Sequence, residues 1–378
     1  MKVDAVKGFT LVEMLVAAAL TLTITSAVFH LIDPAHGAFR VQPEMADLQQ
    51  RLRTAVDSLG GNLRMAGAGA SIGLSAGPLV RYMAPVMPYR VGDVDSDASA
   101  EVFFREDAIS LLYVPPAASE TTLRGLTAAG TNPLPVAAQA HCLAARRRAL
   151  CGFTRDMRVL LVDPQGAWDA VRLSNVDDGT LDLGYDGALS SVYAPGSTVA
   201  QIVMHTYYLA EDARAGTYQL MHYDGADTDL PVVDDVVGLE FEYFGTPHPP
   251  LLPAPPKIGA AGAFGWPAGE NCVFMVVDGQ HRPRLPLLDG AVGEVRLTAD
   301  MLTDGPWCPN GAAFNRVDAD LLRLRRVRVR LRVQVAAESL RGRGVLFLKP
   351  GSSAGGQRAV PDQEIRFDIA PRNLDTSQ

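Results

Sequence analysis

The feature that most restricts the fold of this chain is an uninterrupted apolar run near its amino terminus. Residues 9–32 contain only one charged side chain, Glu13. As an α-helix rising about 1.5 Å per residue, this run extends about 36 Å, which is enough to cross a bilayer. The sequence therefore predicts a transmembrane helix over residues 9–33. Because Lys2 and Lys7 hold the amino terminus in the cytoplasm, we expect the remainder to be exported.

Two simpler interpretations of the run are a secretory signal peptide and a plain membrane anchor, and each conflicts with one feature of the sequence. A secretory signal peptide has a shorter apolar region and a small-residue cleavage site after it, whereas here Gly8 precedes the run. A plain membrane anchor leaves Glu13 unexplained, since an ionised carboxylate in lipid costs about 2.5–3.5 kcal/mol or more. Cleavage after Gly8 would create an α-amine on Phe9, one helical turn from Glu13. Such an amine on a neighbouring subunit would be a suitable partner for the carboxylate.

A known targeting signal is similar to this amino terminus. Type IV prepilins and type II secretion pseudopilins carry a signal that resembles Lys7-Gly8-Phe9-Thr10-Leu11-Val12-Glu13. The resemblance implies that a prepilin peptidase cuts after Gly8 and methylates the new amino group of Phe9. It also implies that Glu13 acts in assembly and that Lys7 is the basic residue before the cleavage site. Residues 1–8 would then be a removable leader.

A second helical pattern follows the apolar run. Pro43 and the acidic residues after it suit a helix start. The glycine-rich run at 67–69 ends the pattern. Apolar residues recur at the three- and four-residue spacing of an amphipathic helix: Met45, Leu48, Leu52, Val56, Leu59 and Leu63. The sequence predicts that residues 34–66 form the periplasmic half of a long spine helix.

Residues 67–378 have the pattern of a β-rich head. Strands are predicted at 102–114, 158–163, 198–209, 217–223, 239–243, 326–333 and 364–369, with Gly, Asp and Pro turns between them. Period-two alternation indicates an antiparallel sheet with one wet face. The expected fold class is α+β, with the long amino-terminal helix packed on this head. Prolines crowd residues 247–256, so the head is one lobe or two, with the boundary near 245–258.

The four cysteines form two local pairs, Cys142 with Cys151 and Cys272 with Cys308. Neither pair has metal-site spacing, and no histidine cluster accompanies them. An even count in an exported protein favours two disulfides, with four buried thiols as the alternative.

Charge argues against a general nucleic-acid binder, because the formal net charge is −8. One strand nevertheless places four arginines on one face: Arg326, Arg328, Arg330 and Arg332. This arginine ladder could follow a phosphate backbone, but acidic faces at Glu240/Glu242 and Glu364/Asp368 are plausible cross-strand partners. We favour the structural interpretation.

An acidic stretch is a weak candidate for a calcium site. Asp93, Asp95 and Asp97 resemble the start of a calcium loop, but Ala98 and Phe104 occupy positions where an EF-hand needs glycine and glutamate. A solvated acidic turn is the favoured interpretation. We expect no cofactor and no resident metal. Nor does any cluster of catalytic residue types indicate an enzyme: the seven histidines are scattered without an H-E-x-x-H pair.

Two further segments are similar to PilW-type minor pilins, and more loosely to the pseudopilin J of type II secretion. They run from Asp47 to Gly67 and from Val233 to Tyr243. The resemblance implies a minor pilin that initiates or tips a type IV pilus. Its partners would be prepilin peptidase, other major and minor pilins, and the inner-membrane assembly platform. It would reside in the inner membrane as a single-pass protein with a periplasmic head, and then in the pilus or at the cell surface. A minor pseudopilin, a pilus-tip adhesin and a DNA-binding module remain alternatives.

Overall fold

The computed structural model describes residues 9–89, 91, 104–128, 130–145, 147–164, 166–213, 216–250, 266–288, 293–308, 316–353 and 359–374. Its residues group into two compact units. One comprises Met1–Arg51 with Val333–Gln363, and the other comprises Leu52–Arg332 with Glu364–Gln378.

Helix α1 runs without interruption over Leu11–Met65. The predicted membrane and periplasmic helices are therefore parts of one element, and Pro43 lies inside it rather than at a start. A proline removes one backbone donor from the helix, a loss that the neighbouring turns of α1 tolerate here. A second helix, α2, covers only Ala140–Ala144.

Strands account for most of the remaining regular structure. They are β1 Val86–Met87, β2 Ala108–Tyr113, β3 Glu120–Thr122, β4 Leu134–Pro135, β5 Arg158–Val162, β6 Trp168–Asp177, β7 Asp182–Asp186, β8 Thr198–Gln201, β9 Val203–Asp212, β10 Thr217–Tyr223, β11 Asp229–Gly245, β12 Phe274–Val277, β13 Gln280–Pro283, β14 Val295–Leu297, β15 Trp307–Cys308, β16 Val317–Asp318, β17 Leu324–Val333 and β18 Gln363–Ile369. The α+β fold class predicted from the sequence is confirmed.

The larger sheet within the described residues has eight strands in the order β1-β2-β9-β10-β11-β17-β18, with β14 added to β11. Its pairs β1–β2, β2–β9, β9–β10, β10–β11 and β11–β14 are antiparallel. Residues 55, 59 and 63 of α1 are fully buried, at the spacing of one helix face.

A second sheet is inserted in the chain between β2 and β9. Its six described strands have the order β3-β8-β5-β6-β7-β4, with antiparallel pairing throughout. It carries its own apolar core, which includes Leu123, Leu134, Phe153, Val159, Leu161, Leu173, Leu183, Tyr193 and Val199. Two further sheets within the described residues have two antiparallel strands each, β12–β13 and β15–β16.

One predicted strand is in fact two. The run 198–209 divides at Ile202 into β8 of the six-stranded sheet and β9 of the eight-stranded sheet. The backbone N–H of Ile202 donates to Arg158 O, so the chain changes sheets across a single residue.

The predicted lobe boundary near 245–258 falls largely on residues 251–265, which lie outside the described residues, and it stays a prediction.

Candidate functional site at the amino terminus

The first turn of α1 is closed by a reciprocal pair of hydrogen bonds. Thr10 lies just before the helix, and its Oγ1 accepts from Glu13 N over 3.3 Å. In return, Glu13 Oε2 accepts from Thr10 N and from Thr10 Oγ1, each over 2.9 Å. This is a capping box, which satisfies two backbone donors that would otherwise have no partner at a helix start. Among the described residues, all hydrogen bonds of the Glu13 carboxylate are to Thr10.

The part of α1 that follows this box is apolar and exposed over about the length of a membrane span. Leu11–Phe29 is long and apolar enough to cross a membrane, and none of it is buried within the chain. The Phe9 side chain is 91% exposed. Exposed apolar surface of this extent requires lipid or another protein to cover it.

Two threonine hydroxyl groups within this segment donate hydrogen bonds to carbonyl oxygens of the helix itself. Thr21 Oγ1 donates to Ala17 O over 2.8 Å, and Thr23 Oγ1 donates to Leu20 O over 2.8 Å. In a hydrocarbon environment such internal bonds are required, because no water is available to replace them. Local hydrogen bonding therefore suits the segment to a bilayer, with Glu13 as its only acidic side chain.

The structure describes only part of the predicted site. Phe9 and Glu13 lie at the start of α1, separated by the turn that Thr10 caps. Gly8 and Lys7 lie outside the described residues, as do Asp93, Asp95 and Asp97 of the candidate calcium loop. The sequence patterns considered above did not include the capping role of Thr10, although the Thr-x-x-Glu spacing is typical of a capping box.

Comparison with protein families places a known motif on this segment. The model of the prokaryotic N-terminal methylation motif matches residues 4–29. That stretch contains Thr10 and Glu13 of the capping box and the exposed apolar segment Leu11–Phe29. The motif indicates a type IV pilin- or pseudopilin-like precursor. Comparison with curated proteins and with solved structures finds no significant match.

Further along α1, the prepilin-like chain attaches its helix to the eight-stranded sheet through polar side chains. Tyr207 Oη on β9 lies 2.7 Å from Ser58 Oγ and 2.6 Å from Asn62 Nδ2. Asn62 Oδ1 accepts in turn from Tyr113 Oη on β2 over 3.3 Å. One side chain of α1 thus bonds to two adjacent strands.

Two histidines continue this polar cluster across the sheet. His205 Nδ1 lies 2.6 Å from His222 Nε2 on β10, and His205 Nε2 lies 3.0 Å from Tyr113 Oη. The His222 ring also stacks on Tyr207, with centroids 4.9 Å apart. Burial, followed by the neighbouring His222, lowers the pKa of His205 to about 4. Burial likewise lowers the pKa of His222. Both rings are therefore neutral at pH 7.

Both cysteine pairs are disulfide-bonded in the head of the prepilin-like chain. Cys142 joins Cys151, with Cα atoms 5.8 Å apart, and Cys272 joins Cys308, with Cα atoms 5.1 Å apart. Cys142 lies on α2 and Cys308 on β15. Because His141 is accompanied only by these oxidised sulfurs, its neighbourhood offers no thiolate ligands.

Three arginines of the ladder on β17 are paired with carboxylates. Arg326 Nε contacts Glu294 over 2.7 Å, and its Nη1 also contacts Asp368. Arg328 and Arg330 follow the same pattern, with Arg328 Nε 2.9 Å from Asp368 and Arg330 Nη1 2.9 Å from Glu240. These contacts neutralise much of the positive field that a polyanion would require. They are consistent with the structural interpretation of the ladder.

One buried arginine was not singled out by the sequence patterns. Arg323 is fully buried and pairs with Asp320. Its other donors bond to the carbonyls of Pro247, His248 and Pro286 over 2.7–3.0 Å. Arg323 therefore joins three separate segments of the chain.

Asp304, Asp318 and Asp320 bring carboxylate oxygens within 4.8 Å of one another. Burial raises the pKa of Asp318 to about 7. Its two oxygens accept from the backbone N–H groups of Gly305 and Asp320 over 2.7 and 2.8 Å. Asp304 is exposed, whereas Asp318 and Asp320 are buried and Asp320 is paired with Arg323, so these two carboxylates are hydrogen-bonded parts of the core.

Proposed function

We propose that this chain is a PilW-type minor pilin that initiates or tips a type IV pilus. Prepilin peptidase removes residues 1–8 by cutting after Gly8, with Lys7 as the basic residue before the cleavage site, and methylates the amine of Phe9. The mature chain then enters a complex of minor pilins as a single-pass inner-membrane protein with a periplasmic head. Its contribution is structural, and the covalent chemistry belongs to the peptidase.

The observation that carries the proposal is the position of Glu13. Its carboxylate lies at the start of an apolar helix that the chain itself leaves uncovered. Thr10 holds this carboxylate with two hydrogen bonds but supplies no positive charge. A carboxylate in lipid is stabilised most by a nearby cation. The methylated amine of Phe9 on a neighbouring subunit supplies one at matching depth, which also fixes the axial register of the two helices.

The size of the head supports a low copy number. Residues 67–378 include sheets of eight and six described strands, in addition to two hairpins. A subunit with so large a head is hard to repeat in a tightly packed shaft. We therefore place it in a complex that starts the filament and remains at its end.

Electron microscopy of sheared filaments labelled with gold-conjugated antibody to the head tests this placement. The proposal predicts label at filament ends, and equal labelling along the shaft would contradict it.

Deletion of the chain in the native host separates the alternatives. Loss of pili with normal protein secretion supports the minor pilin, whereas loss of secretion with normal pili identifies a pseudopilin. Pili that persist without adhesion or DNA uptake would identify a tip adhesin or DNA receptor.

A further inference from the structure

An exposed apolar loop lies in the same compact unit as the membrane-spanning part of α1. The apolar loop is Gly344–Lys349, and it belongs to the Val333–Gln363 segment that groups with Met1–Arg51. Val345 is 94% exposed and Leu346 is 58% exposed. Leu348 is exposed as well. Adjacent aliphatic side chains that are exposed to solvent indicate a surface that lipid or a binding partner covers.

The backbone of the apolar loop is held in a defined shape. Gly344 has φ +104°, which places it in the left-handed region that favours glycine, and its carbonyl accepts from Phe347 N over 3.1 Å. The Phe347 ring folds over Gly342 so closely that a Cβ there would lie 2.8 Å from it. With Phe347 turned inward, Val345, Leu346 and Leu348 are the side chains that remain outside.

Two contacts with Asp362 hold the far side of the loop. Leu348 N donates to Asp362 Oδ2 over 2.8 Å, and Asp362 N donates to Leu346 O over 3.2 Å. The exposure of Leu346 and Leu348 is therefore imposed by fixed backbone bonds on either side of them. A preorganised apolar surface loses little conformational entropy when it is covered.

Charges beside the loop indicate what covers it. Arg341, Arg343 and Lys349 flank the aliphatic residues, and segment 333–363 carries four basic and two acidic side chains in a chain whose net charge is −8. Aliphatic side chains bordered by Lys and Arg match the boundary between acyl chains and anionic headgroups. The loop is also tethered to a bilayer by α1, which raises its effective concentration at the lipid surface.

We propose that the apolar loop inserts into the membrane surface beside α1, with Val345, Leu346 and Leu348 among the acyl chains and Arg343 at anionic headgroups. This interaction goes beyond the proposed function, because it requires only that α1 anchors the chain. It gives the subunit a second contact with lipid, which must be released when the subunit leaves the membrane for a filament.

Fluorescence quenching in vesicles tests the loop directly. Full-length chain carrying Leu346→Trp is reconstituted into phosphatidylcholine–phosphatidylglycerol vesicles with brominated or ordinary acyl chains, and wild-type emission from its three tryptophans is subtracted. Leu126→Trp is the matched control, because Leu126 is 67% exposed but belongs to the other compact unit. We expect brominated lipid roughly to halve the added emission of Leu346→Trp and to leave that of Leu126→Trp unchanged.

Two further arms make the outcome decisive. Arg343→Gln in the Leu346→Trp background is expected to weaken quenching in vesicles that contain phosphatidylglycerol, and to have no effect in phosphatidylcholine alone. Equal quenching of the two tryptophan variants, or quenching of neither, overturns the proposal. A blue shift that depends on protein density and not on bromination also overturns it, since a second copy would then cover the loop. None of these outcomes bears on cleavage at Gly8 or on pilus assembly.

Discussion

Asn62 Nδ2 on α1 donates a hydrogen bond to Tyr207 Oη on β9 over 2.6 Å, and Ser58 Oγ lies 2.7 Å from the same phenolic oxygen. One oxygen of the sheet therefore joins two successive turns of the helix. Tyr207 Oη is therefore a polar contact between α1 and the eight-stranded sheet.

Replacing Tyr207 with phenylalanine should destabilise the chain. The variant leaves the polar groups of Ser58 and Asn62 without their partner, which should cost about 1–3 kcal/mol of unfolding free energy. Urea unfolding of the full-length chain in detergent measures this. A double-mutant cycle with Ser58→Ala provides the control, because residues in direct contact show non-additive effects. Strictly additive losses would show that the two hydroxyls are not energetically coupled.

Lowering the pH should reduce the unfolding free energy of the chain, because His205 in the same region then becomes protonated. Its pKa is about 4 in the folded chain against an ordinary value of 6.5, so the unfolded chain binds the proton more readily. The contribution of neutral His205 to the unfolding free energy is fully present above pH 6.5. It is lost as the pH drops towards 4, which lowers the unfolding free energy by up to about 3 kcal/mol. Asp224 opposes the shift of His205, and Asp224 and Asp229 oppose that of His222, so both carboxylates limit the loss.

Unfolding free energies measured between pH 7.5 and pH 4 test this dependence. The variant His205→Phe removes one titrating ring and is expected to flatten the pH profile, whereas His141→Gln, at an exposed position, should retain the wild-type slope. An unchanged slope in His205→Phe would assign the acid sensitivity to other groups.

Arg323→Met should be among the most damaging substitutions in the head. It leaves the Asp320 carboxylate and three carbonyl oxygens without their buried donor, and breaking a buried pair in this way costs about 3–5 kcal/mol. Arg53→Met, at an exposed position of α1, should change stability by less than about 0.5 kcal/mol. Comparable thermal midpoints for the two variants would contradict the central role of Arg323.

Thr10 should influence assembly without influencing cleavage. Thr10→Val removes the hydroxyl from the capping box, which costs about 1 kcal/mol at a helix start and frees the Glu13 carboxylate to move. We expect fewer assembled subunits in sheared pili, with the same fraction of cleaved chain in the membrane. Thr10→Ser keeps the hydroxyl and should behave as wild type. Impaired cleavage in Thr10→Val alone would instead place the hydroxyl in peptidase recognition.

Local patterns in the sequence predicted the parts of the fold that depend on local order. The apolar run and the spacing of Leu59 and Leu63 predicted α1, and a β-rich run between turn residues predicted β10 with its observed bounds, Thr217–Tyr223. Alternation around Arg328 also located β17.

Features that depend on distant residues were not predictable in the same way. Ile202 continues the β pattern on both sides, so nothing local marks the change of sheet there. The contact between His205 and Asn62 through Tyr113 joins three segments that are far apart in the chain. Arg323 is one of many arginines in its neighbourhood, and only the fold shows that it alone among them is fully buried within the described residues.

The central claim is that Glu13 pairs with the amine of a neighbouring subunit once the leader has been removed. Mass spectrometry of the chain from its native host, combined with Glu13→Leu, tests this most directly. We predict a wild-type chain that begins at a methylated Phe9, and a Glu13→Leu chain that is still cleaved but is absent from assembled filaments. A chain that retains Met1, together with normal incorporation of Glu13→Leu, would contradict the account.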